Sequence, residues 1–150
     1  MSSDYNNEQC AQEEASIVPI VLVVEDEPLI RKAVARNLQM AGYEVIAVPS
    51  AGDALIVAQR TVFHVLVLDL HLVGGSDPFS GIHEGFAVLD WLRHQLGDFQ
   101  FRVVIYTSQT GQQIMEKAEA SGAFAFCNKR RDMSNLLQCV NEAVQSLGAP

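Results

Sequence analysis

Five times along this chain a short run of β-branched and aliphatic residues gives way to a longer stretch of helical period. The runs are Ile20–Val24, Glu44–Val48, His64–Leu68, Val103–Tyr106 and Phe124–Cys127. Three of them are apolar almost throughout, the pattern of strands buried on both faces, as in a parallel sheet. After the first run, Pro28–Met40 opens with a proline suited to a first helical turn and places Ile30, Val34 and Leu38 on one face before Gly42. Ser50 is positioned to cap a helix over Ala51–Arg60, with Ala54, Leu55 and Ala58 turned inward. Phe86–Gln95 carries Val88, Leu89 and Leu92, and Gln112–Ser121 runs to Gly122. A last helix starts near Asp132 or Ser134, with Leu136, Leu137, Val140 and Val144 as its apolar stripe. An alternation of this kind predicts an α/β fold, a (βα)5 doubly wound five-stranded parallel sheet with right-handed crossovers.

Composition narrows the partners. The 150 residues suit one domain with its own core, and 49% are apolar. Net charge is −8, and Asp4, Glu8, Glu13 and Glu14 fall in a first sixteen residues that hold no Lys or Arg. Residues 1–16 read as a disordered acidic tail and residues 17–150 as the folded domain. The acidic balance argues against binding nucleic acid or an anionic membrane surface. No apolar run is long enough to span a bilayer. Cys10, Cys127 and Cys139 match no zinc or disulfide spacing, so free thiols and a cytoplasmic location are expected. The closing Gly148-Ala149-Pro150 leaves no room for an attached output domain, which implies a stand-alone unit.

Ligands of such sheets bind beyond the carboxyl ends of the strands. Glu25, Asp26 and Glu27 follow the first strand, Asp69 the third, Thr107 and Ser108 the fourth, and Lys129 the fifth. In a flavodoxin-like strand order, strands 1, 3, 4 and 5 are neighbours, so these groups converge. Two carboxylates about 4 Å apart repel by roughly 4 kcal/mol at an intermediate dielectric, which a proton or a cation must relieve. Hard oxygen ligands around an open position suit Mg²⁺ or Mn²⁺. A carboxylate beside a cation, a lysine and a hydroxyl can accept a phosphoryl group. Taken singly, each residue also has a plainer reading. Asp69 can cap a turn, the acid run can offset a helix dipole, Thr107 can end a strand, and Lys129 can join Arg130 and Arg131 in a solvated patch. Phe126 is core in either case.

The segments VLVVEDEPLIR, VLVLDL, VVIYTS and SGAFAFCNK resemble the signature blocks of response-regulator receiver domains, and the resemblance covers Ile17 to Leu147. It implies that Glu25 and Asp26 are the acidic pair at a Mg²⁺ site and that Asp69 is the phosphoacceptor. Thr107 is then the hydroxyl that contacts the phosphoryl group, Lys129 its positive partner, and Phe126 the aromatic that turns on activation. The backbone carbonyl of His71 becomes a further metal ligand. The implied function is phosphoryl acceptance on Asp69 in two-component signalling, from a sensor histidine kinase or a histidine phosphotransfer protein. The output is a switched contact with an unknown downstream protein, and the chain is not an enzyme in the ordinary sense. A homodimer is left open.

Three departures from that pattern carry structural expectations. Arg130 stands where the family has a proline after the lysine, which predicts a trans peptide and a reshaped loop. LVGG replaces a proline expected soon after the acceptor. The loop Leu70–Glu84 is longer than usual ahead of Gly85, either as a gate or as a tolerated insertion. His71 and His83 in that loop read as surface histidines rather than metal ligands. Among rival functions, a haloacid-dehalogenase-like phosphatase needs an acid two residues after its nucleophile, where this chain has His71. A flavin-nucleotide module needs a hydroxyl-rich phosphate loop after strand 1, where this chain has three acids. A non-phosphorylated receiver used for docking is the remaining alternative.

Overall fold

The computed structural model describes residues 17–72, 81–82, 84–97, 100–109 and 111–148. The expected tail over 1–16, Cys10 and His83 lie outside them. The elements in order are β1 (Ile20–Val24), α1 (Pro28–Met40), β2 (Glu44–Val48), α2 (Ala51–Arg60), β3 (Val65–Leu68), β4 (His71–Leu72) and β5 (Gly81–Ile82). They continue with α3 (Glu84–Leu96), β6 (Arg102–Thr107), α4 (Gln112–Ala120), β7 (Ala125–Asn128) and α5 (Met133–Gly148). Five strands form one parallel sheet in the order β2-β1-β3-β6-β7. That is the doubly wound arrangement the alternation predicts.

Strand alternation sorts the core into two layers. Leu22, Val24, Leu66, Leu68, Val103 and Ile105 face α2, α3 and α4. Val21, Val23, Val65, Val67, Val104 and Tyr106 face α1 and α5. Every side chain of β3 is buried, as a strand covered on both sides must be. The helices bury the stripes read from the sequence: Val34 and Leu38 in α1, Ala54 and Ala58 in α2, Leu136 and Val140 in α5. The Ser50 hydroxyl accepts from the Asp53 N–H at 3.2 Å and so caps α2.

Several boundaries move. The third strand begins at Val65, not His64, although His64 still joins the ladder through Ile20 and Arg102. Thr107 is the last residue of β6 rather than the first after it. Gly85 lies inside the first turn of α3, which starts at Glu84 and not Phe86. Within the long segment after Asp69, β4 and β5 pair antiparallel, His71 with Ile82 and Leu72 with Gly81. Two-residue strands carry no readable period, so nothing in the sequence marked them.

Candidate functional site

The parallel ladder continues one residue past three strands and holds the chemical groups there. The Glu25 N–H donates to the Val48 carbonyl at 3.0 Å, the Asp69 N–H to Val24 at 3.2 Å, and the Lys129 N–H to Thr107 at 3.0 Å. Each residue is therefore tied to a neighbouring strand instead of riding on a free loop.

Their side chains meet. Lys129 Nζ donates to Glu25 Oε2 at 2.7 Å and to Asp69 Oδ2 at 3.0 Å. Glu25 and Asp69 are 2% and 5% exposed. Carboxylate oxygens of Glu25, Asp26 and Asp69 lie within 4.8 Å of one another. Glu27 stays apart as the exposed N-cap of α1. The acid run thus divides, two members to the cluster and one to the helix start.

Burial pushes the Glu25 carboxyl up to about 7; the hydrogen bond from Lys129 opposes this and the Asp69 charge adds to it. For Lys129, burial alone would lower the pKa, but the hydrogen bond to Glu25 and the charge of Asp69 outweigh it. The ammonium is held above the ordinary lysine value. Three carboxylates around one ammonium leave an excess of negative charge on hard oxygen donors. That donor set fits a small divalent cation such as Mg²⁺.

The other expected residues fall around this cluster. Thr107 is fully buried, and its Oγ1 accepts from the Gln109 N–H at 3.2 Å, which leaves the hydroxyl proton available to a further acceptor. Phe126 is half-buried against the layer of α2, α3 and α4, in register with Ile105. His71 heads β4, two residues past Asp69, at the place a dehalogenase-type phosphatase fills with an acid.

The loop after β7 is built without a proline. Among the described residues there is no cis peptide, so Lys129–Arg130 is trans, as the substitution predicts. The chain turns instead on Asn128, whose Oδ1 accepts from the Arg130 N–H at 2.8 Å and whose carbonyl accepts from Arg131 at 3.1 Å. Lys129 still reaches both acids.

Two supporting residues, Arg31 and Tyr106, lie outside the groups that the sequence points to. Arg31 Nη1 donates to the carbonyls of Glu25 at 3.0 Å and Asp26 at 3.3 Å, fixing the backbone that aims the acid pair. Its signal was a basic residue one helical turn after the acid run. The Lys129 ammonium lies 5.7 Å from the centre of the Tyr106 ring, a cation–π contact at the wall of the site. Gly85, where the long loop ends, sits tight against the backbone that follows β3. A Cβ there would lie 2.4 Å from the Asp69 carbonyl oxygen and 2.9 Å from Leu70 Cα.

A family model described as the response regulator receiver domain matches residues 21–141. The transcriptional regulatory protein KdpE of Mycobacterium tuberculosis is 29% identical over 126 residues, 84% of this chain and 51% of that protein. The chain spans about half the length of the curated relatives it matches. A CheY-like receiver domain protein from Methanospirillum hungatei superposes with a TM-score of 0.76 at 20% identity, covering 88% of this chain and 98% of its own. Vibrio cholerae chemotaxis protein CheY4 gives 0.72 at 26% identity, covering 85% and 99%.

Proposed function

The chain belongs to the response-regulator receiver family, and from that premise we propose that Asp69 accepts a phosphoryl group and thereby switches a contact with a separate protein. Response regulators are phosphorylated by histidine kinases, and a sensor kinase or a phosphotransfer protein in the cytoplasm is the proposed donor here. The observation that carries the reading is the Lys129 ammonium bridging Glu25 and Asp69, both buried, with the carboxylate of Asp26 beside them.

The proposed roles follow from the geometry. An Asp69 carboxylate oxygen attacks phosphorus as the phosphoryl–nitrogen bond of the donor breaks, and the electron pair stays on the imidazole. Lys129 offsets the charge that gathers on the phosphoryl oxygens, and Thr107 donates its proton to one of them. Asp26 and Asp69, with Glu25 and the His71 carbonyl, are the groups that would hold Mg²⁺ or Mn²⁺. Such a cation would neutralise the acid cluster and polarise a phosphoryl oxygen. Gln112, Glu116 and Lys117 on α4, with Arg130 and Arg131 at the entry to α5, are exposed on the side formed by α4, β7 and α5. That side is the proposed output surface. Among the described residues no helix is long and apolar enough to cross a membrane.

The test is intact mass after incubation with a small acyl phosphate, with and without Mg²⁺. Wild type should gain one phosphoryl group only when the cation is present, and Asp69→Asn should gain none. Equal labelling of Asp69→Asn overturns the assignment. An unlabelled wild type with Mg²⁺ present favours the docking-only alternative.

A further inference from the structure

Cys127 and Cys139 have no part in the phosphoryl site, yet their Sγ atoms lie 2.8 Å apart. Both are free thiols, Cys127 buried in β7 and Cys139 half-buried on α5. A disulfide bond is about 2.05 Å long, so the two sulfurs stand less than an ångström beyond bonding distance. We propose that this pair is a reversible redox site, converted by a peroxide into an intramolecular disulfide that ties β7 to α5.

The two thiols differ in access, and that difference orders the steps. Cys139, the less buried of the two, meets the oxidant. Its thiolate attacks one peroxide oxygen, the S–O bond forms as the O–O bond breaks, and hydroxide leaves as water, giving a sulfenic acid. Cys127 is 1% exposed. Burial, with the hydrogen bond to Cys139 next, pushes its thiol well above the ordinary range, so it is a poor first target. Held against the oxidised sulfur, it attacks that atom. The S–S bond forms as the S–O bond breaks, and the departing hydroxide takes the Cys127 proton as water. Two thiols and one peroxide become one disulfide and two waters. A dithiol reverses the bond by exchange.

The position of the pair gives the bond a consequence. The ring it closes, residues 127–139, contains Asn128, Lys129, Arg130 and Arg131. It therefore constrains the turn that delivers the Lys129 ammonium to Glu25 and Asp69, and it joins two elements of the proposed output surface. Formation of the bond does not depend on Asp69 taking a phosphoryl group, so either proposal can fail without the other.

The test uses the full chain carrying Cys10→Ser, which removes the third thiol. After hydrogen peroxide treatment, the intact mass should fall by two hydrogens, peptide mapping should link Cys127 to Cys139, and dithiothreitol should restore both thiols. The melting temperature should rise on oxidation and fall back on reduction. In a further Cys139→Ala variant, oxidation should give neither link nor reversible rise. A treated protein that keeps two alkylatable thiols, or gains oxygen without the link, overturns the proposal.

Discussion

At the scale of single residues, Glu25 is a carboxyl of the site whose protonation the fold shifts strongly. Its carboxyl has an ordinary value of 4.5 and is pushed to about 7 in the fold, first by burial. Between those values the folded chain holds a proton that the unfolded chain has released, so stability falls as pH rises through that window. The contribution is fully present below 4.5 and lost above 7. Denaturation curves across this range should show wild type losing stability relative to Glu25→Gln, in which no carboxylate forms. Parallel pH profiles for the two proteins would refute the assignment. A divalent cation should act in the opposite sense at neutral pH, because it stabilises the ionised form and competes with the proton. Lys129 limits the effect without cancelling it, since one ammonium serves both Glu25 and Asp69.

At the scale of elements, the site depends on how closely α3 approaches the segment after β3. The Gly85 N–H donates to the Leu70 carbonyl at 3.2 Å, and the space for a Cβ is already taken by the Asp69 carbonyl. Backbone cannot yield as the end of a flexible side chain can. Gly85→Ala should therefore cost about 1–3 kcal/mol, the usual range for overpacking, and should also slow labelling of Asp69 by displacing its backbone. Urea denaturation and acyl-phosphate labelling measure the two effects, and a variant as stable and as reactive as wild type would show that α3 shifts freely. The contact joins residues sixteen apart across a long loop, and no local pattern announces it. What was legible followed periodicity. Val34 with Leu38, and Leu136 with Val140, declared helix faces by spacing. The all-apolar VLVL of β3 declared a central strand. Glu25, Asp69 and Lys129 could be grouped because strand order alone places strand ends side by side. Boundaries were less legible because ladder pairing, not hydrophobicity, decides them. Arg102 belongs to β6 because it pairs with Val65, while its Nε donates to Ser146 at 2.9 Å. The grip of Arg31 on the acid pair and the Asn128 turn are hydrogen-bonding outcomes that composition does not encode.

At the scale of the whole molecule, the proposed switch requires that an event at Asp69 be felt on the opposite side of β6. The path available is short and packed. Leu68, next to Asp69, pairs with Ile105 in β6, and Ile105 pairs with Phe126 in β7. Thr107 lies two residues beyond Ile105 at the end of the same strand, with its hydroxyl engaged by Gln109. In the proposed switch a phosphoryl group on Asp69 would offer that hydroxyl a stronger acceptor, and moving Thr107 toward it would give up the Gln109 hydrogen bond. Phe126 is only half-buried, so it has an inward position to gain when that space opens. On the proposed switch, phosphorylation would bias two pre-existing arrangements and not create a new fold. Couplings of this kind amount to about 1–3 kcal/mol. Thr107→Ala should still accept the phosphoryl group on Asp69 but pass on little of the change. Phe126→Ala should be labelled almost normally yet respond differently at the surface. Amide chemical shifts recorded with and without an acyl-phosphate mimic read both effects. In wild type the changes should extend from the pocket through α4 and β7, and in Thr107→Ala they should stop near Asp69. If the wild-type changes themselves stay within the pocket, with α4 and β7 unmoved, the domain stores a phosphoryl group without signalling it, and the switch reading falls.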